Sequence, residues 1–396
     1  MGHTNDTEIV RVPFDRPGVS RFLRVAYLVY RHDRLWVAPL ESDALLTLSS
    51  RNPFYQHARI ELWIARAGGR DVGRIAAIVD DHFHPPSGQP TAFFGYFECI
   101  DDPGISGALL RTVKDWARAR GLERVLGPMN PSANDECGLL VQGFDTPPAL
   151  MTTYNPPYYA RLIEAAGFQK AKDLLAFDIQ VAGSPAQRME RVALRFEKRN
   201  PGLELRPVLK RTLDAELPHI KRIYNESWEE NWGFTPMTDA EIDFLAVRLK
   251  PLLTEGLVWI ATQGGEPAGF LLIILDYNQV LQPLRGRLLS RGLFRALPYL
   301  LNLRTPDACR VIALGVRPEF RRRGIETVML HRALQTVNRL KLQSADASWV
   351  LEENIPVQQT IAHQGGKVSK VYRLYESGSQ HAEDPQQSTS GDSNAA

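Results

Sequence analysis

The feature that most constrains this chain is an order of elements that occurs twice. In the first series, Ile9–Pro13 reads as a strand and Val19–Tyr30 as a helix. Arg59–Ala65 and Val72–Val79 read as strands around the turn at Ala67–Arg70, and Phe93–Ile100 as a third. A helix over Ile105–Arg120 ends at Gly121, Val125–Pro128 is short and extended, a helix over Tyr158–Ala166 ends at Gly167, and Leu174–Ile179 closes the series. After Pro/Gly punctuation near 183–185 and 200–202 the series restarts. Strand Leu203–Val208, helix Leu213–Trp228, the strand pair Val258–Thr262 and Ala268–Leu275, and strand Arg310–Val316 come first. Helix Thr327–Leu342, strand Ala345–Leu351, helix Pro356–His363 and strand Val368–Tyr375 complete it. This β-α-β-β-β-α-β-α-β order predicts an α/β fold (an α+β arrangement on a mixed sheet), used twice in tandem. The implied domains are 1–182 and 202–376, with 183–201 as a connector containing a helix at 188–199, and 377–396 as a disordered tail.

A length of 396 residues suits two such domains, and 44% hydrophobic residues suffice to build their cores. No apolar run reaches the roughly 18 residues of a spanning helix, and residues 1–10 have neither the basic nor the apolar part of a signal peptide. Cys99, Cys137 and Cys309 are odd in number and scattered, which fits a reducing cytoplasm. The formal net charge of +2 points to no nucleic-acid partner. It conceals a tail with three acids and no Lys or Arg, so that residues 1–376 carry +5.

The sharpest local signal is Leu314-Gly-Val-Arg-Pro-Glu-Phe-Arg-Arg-Arg-Gly324-Ile-Glu-Thr-Val-Met-Leu330, where an apolar strand runs into an Arg/Gly loop that opens an amphipathic helix. Gly324 lets backbone approach an anion closely, and the helix N-terminus faces that anion with positive potential. Arg321, Arg322 and Arg323 add charge suited to a pyrophosphate. An isolated Arg-Arg-Arg-Gly would read as a solvated basic turn; the strand–loop–helix context is what favours the anion.

On these residues, 203–375 resembles a GNAT-type N-acyltransferase, whose loop runs Gln/Arg-x-x-Gly-x-Gly/Ala after a strand. Arg321 and Gly324 match, and Glu326 departs from the Gly or Ala of the pattern. The resemblance implies acyl-CoA or acetyl-CoA as acyl donor, held by Val316, Arg321, Arg322, Arg323, Gly324, Ile325, Glu326 and Asn354. It places the pantetheine arm between Val311–Val316 and Ala345–Leu351, with direct attack of an amine on the thioester. Ile361 stands where many members have a Tyr that protonates the leaving thiolate, and Gly366 replaces a Phe. The first half resembles the same fold with Asp101-Asp102-Pro103-Gly104 in place of the loop, where two carboxylates would repel a pyrophosphate. Through Ser348-Trp-Val-Leu-Glu-Glu-Asn354 and Asn155-Pro-Pro-Tyr-Tyr159, the whole chain resembles tandem-GNAT bacterial proteins related to the bacterial ceramide synthases. That relationship implies N-acylation of a primary amine such as a long-chain sphingoid base. Two alternatives stay open: acetylation of a small amine or peptide, and a non-catalytic coenzyme A-binding scaffold, which Glu326 and Ile361 motivate.

Acylation needs a proton acceptor for the amine. Glu352 or Glu353, at the end of the strand beside the thioester, can face the cleft, and Glu352 is preferred over simple helix capping. Tyr372 and Tyr375, expected on an edge strand, are candidate acids. Trp228, Glu229, Glu230, Trp232 and Phe234 follow the first helix of the second half, where this fold builds its acceptor site; packing beneath a surface loop is the competing reading. Gly127–Gly138 with Tyr154–Tyr159 reads as a substrate-facing wall or as well-capped turns. The run Asp80-Asp81-His82-Phe-His84 lacks a metal-ligand spacing, and no metal is expected. Residues 281–303 carry leucines at helical spacing with Arg287, Arg291 and Arg295 four apart. They read as a basic amphipathic helix, either a core helix with a solvated face or a peripheral contact with anionic membrane.

Overall fold

Most strands of this protein are apolar along their length rather than at every second residue, which requires helices on both faces of the sheet. The computed structural model describes residues 7–85, 88–183, 186–229, 231–288, 290, 292–301 and 303–378. The tail expected beyond 377, together with Glu230 and Arg291, lies almost wholly outside the described residues. The first half contains β1 (Glu8–Val12), α1 (Arg16–Val29), α2 (Glu41–Thr47), β2 (Ala58–Ala67), β3 (Arg70–Asp80), β4 (Thr91–Cys99) and α3 (Pro103–Arg118). It continues with β5 (Arg124–Gly127), β6 (Met129–Asn130), β7 (Glu136–Cys137), β8 (Leu139–Gln142), α4 (Tyr159–Ala165) and β9 (Gln169–Gln180). After α5 (Ala186–Arg199), the second half contains β10 (Leu203–Pro207), α6 (Leu213–Trp228), α7 (Asp239–Leu249), β11 (Val258–Gln263) and β12 (Glu266–Leu275). Next come α8 (Asn278–Leu281), α9 (Leu293–Leu300), β13 (Ala308–Val316), α10 (Ile325–Arg339), β14 (Ser344–Leu351), α11 (Ile355–His363) and β15 (Lys367–Ser377). The α/β reading and the doubled order are both present. None of the described helices is long and apolar enough to cross a membrane.

The strands form one mixed sheet in the order β1-β2-β3-β4-β5-β15-β9-β14-β13-β12-β11-β10, with β8 also on β15. Each half therefore ends in a strand that sits against the other half. β15 pairs antiparallel with β5 (Tyr375 opposite Gly127), and β9 pairs antiparallel with β14 (Asp346 opposite Asp178). The two crossing strands pair with one another from Lys367–Asp178 to Glu376–Gln169. β15 is thus a central strand, not the expected edge, and Tyr372 and Tyr375 are buried in the two core layers of the first half. Tyr375 also donates to Glu164 Oε1 at 3.0 Å.

Local sequence explains the ends of the helices. Asp15 caps α1 by accepting from Gly18 N at 2.8 Å. Thr238 and Glu241 form a reciprocal capping box on α7, a Thr-x-x-Glu signal the sequence carries plainly although periodicity alone missed this helix. The segment expected as one helix over 281–303 is instead broken. Pro283 and a left-handed Arg285–Gly286 pair (φ 47° and 79°) separate α8 from α9, and Pro298 lies inside α9. A Cβ on Gly286 would lie 2.2 Å from Tyr27 Oη, so glycine is required where this segment docks on the first half.

Because the crossing strands make each half's core depend on the other, the chain should unfold in one transition. Tyr375→Ala, although in the last strand, should cost about 3–5 kcal/mol and lower the single midpoint seen by both tryptophan fluorescence and circular dichroism. Two separate transitions, with only one moved, would contradict the exchange.

Candidate active site

The site is built where two parallel strands part. β13 and β14 pair only from Ala308–Ser344 to Val311–Ala347. Beyond this, β13 stays on β12 as far as Val316 opposite Gly269, while β14 stays on β9 through Val350 and Leu351. The strands open a wedge between Ile312–Val316 and Ser348–Leu351. Arg310 holds its base: Nη1 donates to the carbonyls of Leu150 and Met151, each at 2.6 Å, Nε to Ser348 Oγ at 3.1 Å and Nη2 to Ser348 O at 3.1 Å. Two buried polar atoms beside the wedge, Ser227 Oγ and Trp349 Nε1, have no partner among the described residues. Trp228 lies against Gly315, where a Cβ would fall 2.6 Å from the indole.

Val316 leads from the wedge into the Arg/Gly loop. Arg317, buried, is fixed by Glu226, Glu319 and the carbonyl of Pro267. Arg321 donates to Ser227 O at 2.9 Å, and Arg323 lies over Phe320, whereas Arg322 is exposed with φ 63°. Gly324 (φ 74°) opens α10 with no side-chain cap, so the first-turn N–H groups at Ile325 and Glu326 lack the intrahelical partners that later turns have. Ile325's side chain is in the core; only its backbone faces the loop. A Cβ on Gly324 would meet the Phe196 ring of α5 at 2.3 Å, and Asn200 donates to Arg323 O, so the connector helix shapes this loop. An uncapped helix start, exposed arginines and a wedge with orphaned polar atoms fit a phosphate-bearing thioester ligand. The corresponding start of α3 differs: Asp102 caps it by accepting from Gly104 N and Ile105 N, and Asp101 pairs with Arg161. That helix end is already occupied by its own carboxylate.

The remaining predicted residues fall in three places. Trp228 and Phe234 pack around Tyr224 on the α6 face, while Trp232 packs against the core cluster that contains Tyr372 and lies under Lys172; Glu229 is exposed. Glu352 turns towards β9, accepting from Lys170 Nζ at 2.6 Å and Asp173 N at 3.0 Å. Burial would raise its carboxyl, but Lys170 and that amide outweigh it and hold the group below the usual carboxylate range. Asn354 caps α11. Tyr372 packs edge-on to Trp349 with ring centroids 5.7 Å apart, and burial raises its phenol.

On the α6 face lies a cavity of about 1140 Å³, mostly apolar in lining. Its walls combine α1, α2 and the 127–155 segment of the first half with Leu249, Tyr277, Leu281 and Leu284 of the second. Leu150, Met151, Leu249, Tyr277 and Leu281 pack with Ile312, which places the cavity next to the parted section of β13. The Gly127–Gly138 segment does form a wall: Pro128, Asn130, Asp135, Glu136 and Gly138 all line it. Asn134 bonds Tyr224 Oη and Thr235 O, fastening that wall to the second half. Burial pushes Asp135 up to about 6, opposed by its bond from Ser132, and Glu136 up to about 7, opposed by Arg310. Both lie deep yet keep accessible surface, which faces the cavity.

A polar cluster that sequence reading missed joins the halves elsewhere. His57 Nδ1 is 2.8 Å from Asp80 and Nε2 is 3.3 Å from Glu241 of α7, with His82 stacked on His57 at 3.9 Å. Ligand atoms of His57, Asp80 and His82 fall within 4.8 Å of one another. His57 precedes the Asp80–His84 run by a whole hairpin, so no local spacing could reveal it.

Residues 217–365 match the acetyltransferase (GNAT) family model. The chain is 34% identical over 382 residues to a bacterial ceramide synthase of Caulobacter vibrioides, covering 94% of this chain and 98% of that protein. It is 30% identical over 375 residues to protein YghO of Escherichia coli, covering 93% and 95%. In fold it resembles a tandem GNAT protein from the clavulanic acid biosynthesis pathway, with TM-score 0.59 over 96% of this chain and all of that one at 14% identity.

Arg310→Met keeps bulk but strands Asp346 and three carbonyl acceptors at the base of the wedge. It should cost about 3–5 kcal/mol in denaturant unfolding; a loss below about 1 kcal/mol would show that the wedge does not depend on it.

Proposed function

The chain belongs to the acetyltransferase (GNAT) family as a tandem acyltransferase, and from that premise we propose that it N-acylates a long-chain primary amine, with acyl-CoA as donor. The observation that carries this reading is the apolar cavity on the acceptor face beside the parted section of β13, with the uncapped start of α10 beyond Val316. A small-molecule acetyltransferase has no need of so large an apolar space. The 34% identity to a protein named bacterial ceramide synthase supports a sphingoid base as the acceptor.

Bound acyl-CoA would supply an activated thioester. Arg321, Arg322 and Arg323 with the backbone of Gly324, Ile325 and Glu326 would hold its pyrophosphate, charge-assisted bonds being the strong ones. Val316 and the free edge of β13 would pair with the pantetheine amides. Trp228, Trp232 and Phe234 would shape the apolar approach of the acceptor, with the exposed Glu229 at its rim. Among the predicted proton carriers, Tyr372 lies within electrostatic reach of Arg310 at the base of the wedge. Glu352 and Tyr375 would act as braces, one clamping β14 to β9 and the other fixing β15, while Asn354 orders the turn after β14.

The segment after β12 fits delivery of such a substrate. Phe294 is 81% and Leu303 78% exposed, alongside exposed Leu288 and Leu301. Arg285, Arg287, Arg295 and Arg304 alternate with them along the segment, and Arg285, Arg287 and Leu288 also line the cavity. Such a patch would contact anionic lipid, each basic group near the surface contributing about 1 kcal/mol, with the cavity opening beneath it.

Arg322→Glu with Arg323→Glu changes only exposed side chains and should weaken acyl-CoA binding at least tenfold, about 1.4 kcal/mol, by calorimetry without altering the melting temperature. Unchanged affinity would remove the loop from the donor site. In flotation with phosphatidylglycerol vesicles, binding should be salt-sensitive and drop on Phe294→Asp with Leu303→Asp; salt-insensitive binding by that variant would place the contact elsewhere. Thiol release should rise with the chain length of the amine, and a preference for short amines would favour the acetyltransferase alternative.

A further inference from the structure

Resting on that reading, we propose that Glu136, supplied by the half that lacks a phosphate loop, receives the acceptor's ammonium group and takes its proton. Among the acidic groups that line the cavity, the others are engaged, Glu41 lying 3.8 Å from Arg287. Arg248 forms a two-pronged pair with Asp43 at 3.0 and 2.8 Å. Glu98 accepts from Tyr159 at 2.7 Å and from Arg74 at 3.3 Å. Asp135 accepts from Ser132 at 2.8 Å. The Glu136 carboxylate has no hydrogen bond or ion pair among the described residues, yet it lines the same cavity. A carboxylate left without a partner in an apolar space is costly, and a cationic headgroup on an aliphatic chain would relieve that cost while its chain fills the cavity.

Position supports the same role. β7, which carries Glu136, pairs with β6, where Asn130 stands opposite it. Arg310, whose guanidinium closes the base of the wedge through Leu150 and Met151, is near enough to oppose the rise in the Glu136 carboxyl. The carboxylate thus lines the chain-binding space within electrostatic reach of the arginine at the base of the wedge. Charged or titratable groups face it from six elements or their flanks: Asp135 and Cys137 beside and on β7, Arg310 of β13, Arg248 of α7, Asp43 of α2, Tyr96 of β4 and Tyr372 of β15. Burial, the largest of the influences, brings this carboxyl to about 7, much closer to an alkylamine than an exposed glutamate is. A base so placed works near neutral pH.

The transfer balances without another reactant. The ammonium gives one proton to the Glu136 carboxylate, and the freed nitrogen lone pair attacks the thioester carbonyl carbon. The new N–C bond forms as the C–S bond breaks, and the second nitrogen proton goes to the departing thiolate. The proton on Glu136 then returns to solvent.

The test uses the full chain with palmitoyl-CoA and octadecylamine, following thiol release from pH 5 to pH 9. In the wild type, activity should fall as the pH drops through about 7, where Glu136 would become protonated. Glu136→Gln should lower kcat/KM at pH 8 about a hundredfold and abolish that limb, while palmitoyl-CoA affinity and melting temperature stay unchanged. Glu136→Asp should recover about a tenth of the activity together with the limb. If Glu136→Gln stays within threefold of wild type with the limb intact, or if Glu136→Asp recovers neither activity nor limb, the assignment is overturned. Failure of the wild type to bind palmitoyl-CoA would instead overturn the acyl-CoA reading on which it rests.

Discussion

Everything in this molecule that resembles a working site depends on two parallel strands being held apart by their outer neighbours. β13 cannot close on β14 beyond Val311, because its opposite edge is committed to β12 as far as Val316. β14 cannot close on β13, because Val350 and Leu351 are hydrogen-bonded to β9. Since β9 belongs to the first half, the wedge in the second half is propped open by a strand it does not own. Glu352 extends this arrangement past the end of the ladder by binding Lys170 and the Asp173 amide. The same exchange places Tyr372 and Tyr375 of β15 in the first half's core. The duplication is therefore more than two copies in series: each copy completes the other.

That dependence also accommodates two differently built helix starts in the two halves. In α3, Asp102 satisfies the helix start that α10 leaves open, and Arg161 neutralises Asp101. The first half keeps its fold with that closed helix start, because β15 and β9 bind it to its twin. The cavity is formed by α1, α2 and the 127–155 segment, roofed by the residues after β12. One half thus presents the Arg/Gly loop and the other most of the cavity wall, with Arg310 fastening the two where they meet.

How much of this was legible from the amino acids depends on range. Strand and helix identities were, because periodicity and Gly punctuation are local; helix α6 spans Leu213–Trp228 as read. The Arg/Gly loop was legible for the same reason, since Arg321 to Glu326 are consecutive. The wall at Gly127–Gly138 stood out by composition, but nothing in sequence distinguishes Glu136 from its neighbour Asp135; only the bond from Ser132 separates them. The strand exchange was invisible, because it concerns pairing between residues some 200 apart, and with it went the true environment of Tyr372 and Tyr375. His57 joined Asp80 and Glu241 through tertiary contact alone. The 281–303 segment misled in another way: its leucines keep helical spacing, but Pro283 and Gly286 break the helix where it must fold onto Tyr27 and Pro39.

The central claim is that one ligand spans both features, its phosphates at the start of α10 and its acyl end at the wedge beside the cavity. A crystal structure with palmitoyl-CoA tests this most directly. The account predicts the pyrophosphate on the backbone of Arg322 to Glu326, the pantetheine arm between β13 and β14, and the thioester within reach of the cavity bounded by Glu136. Density for the phosphates at the Asp101–Gly104 turn, or a pantetheine arm lying outside a closed β13–β14 pair, would contradict it.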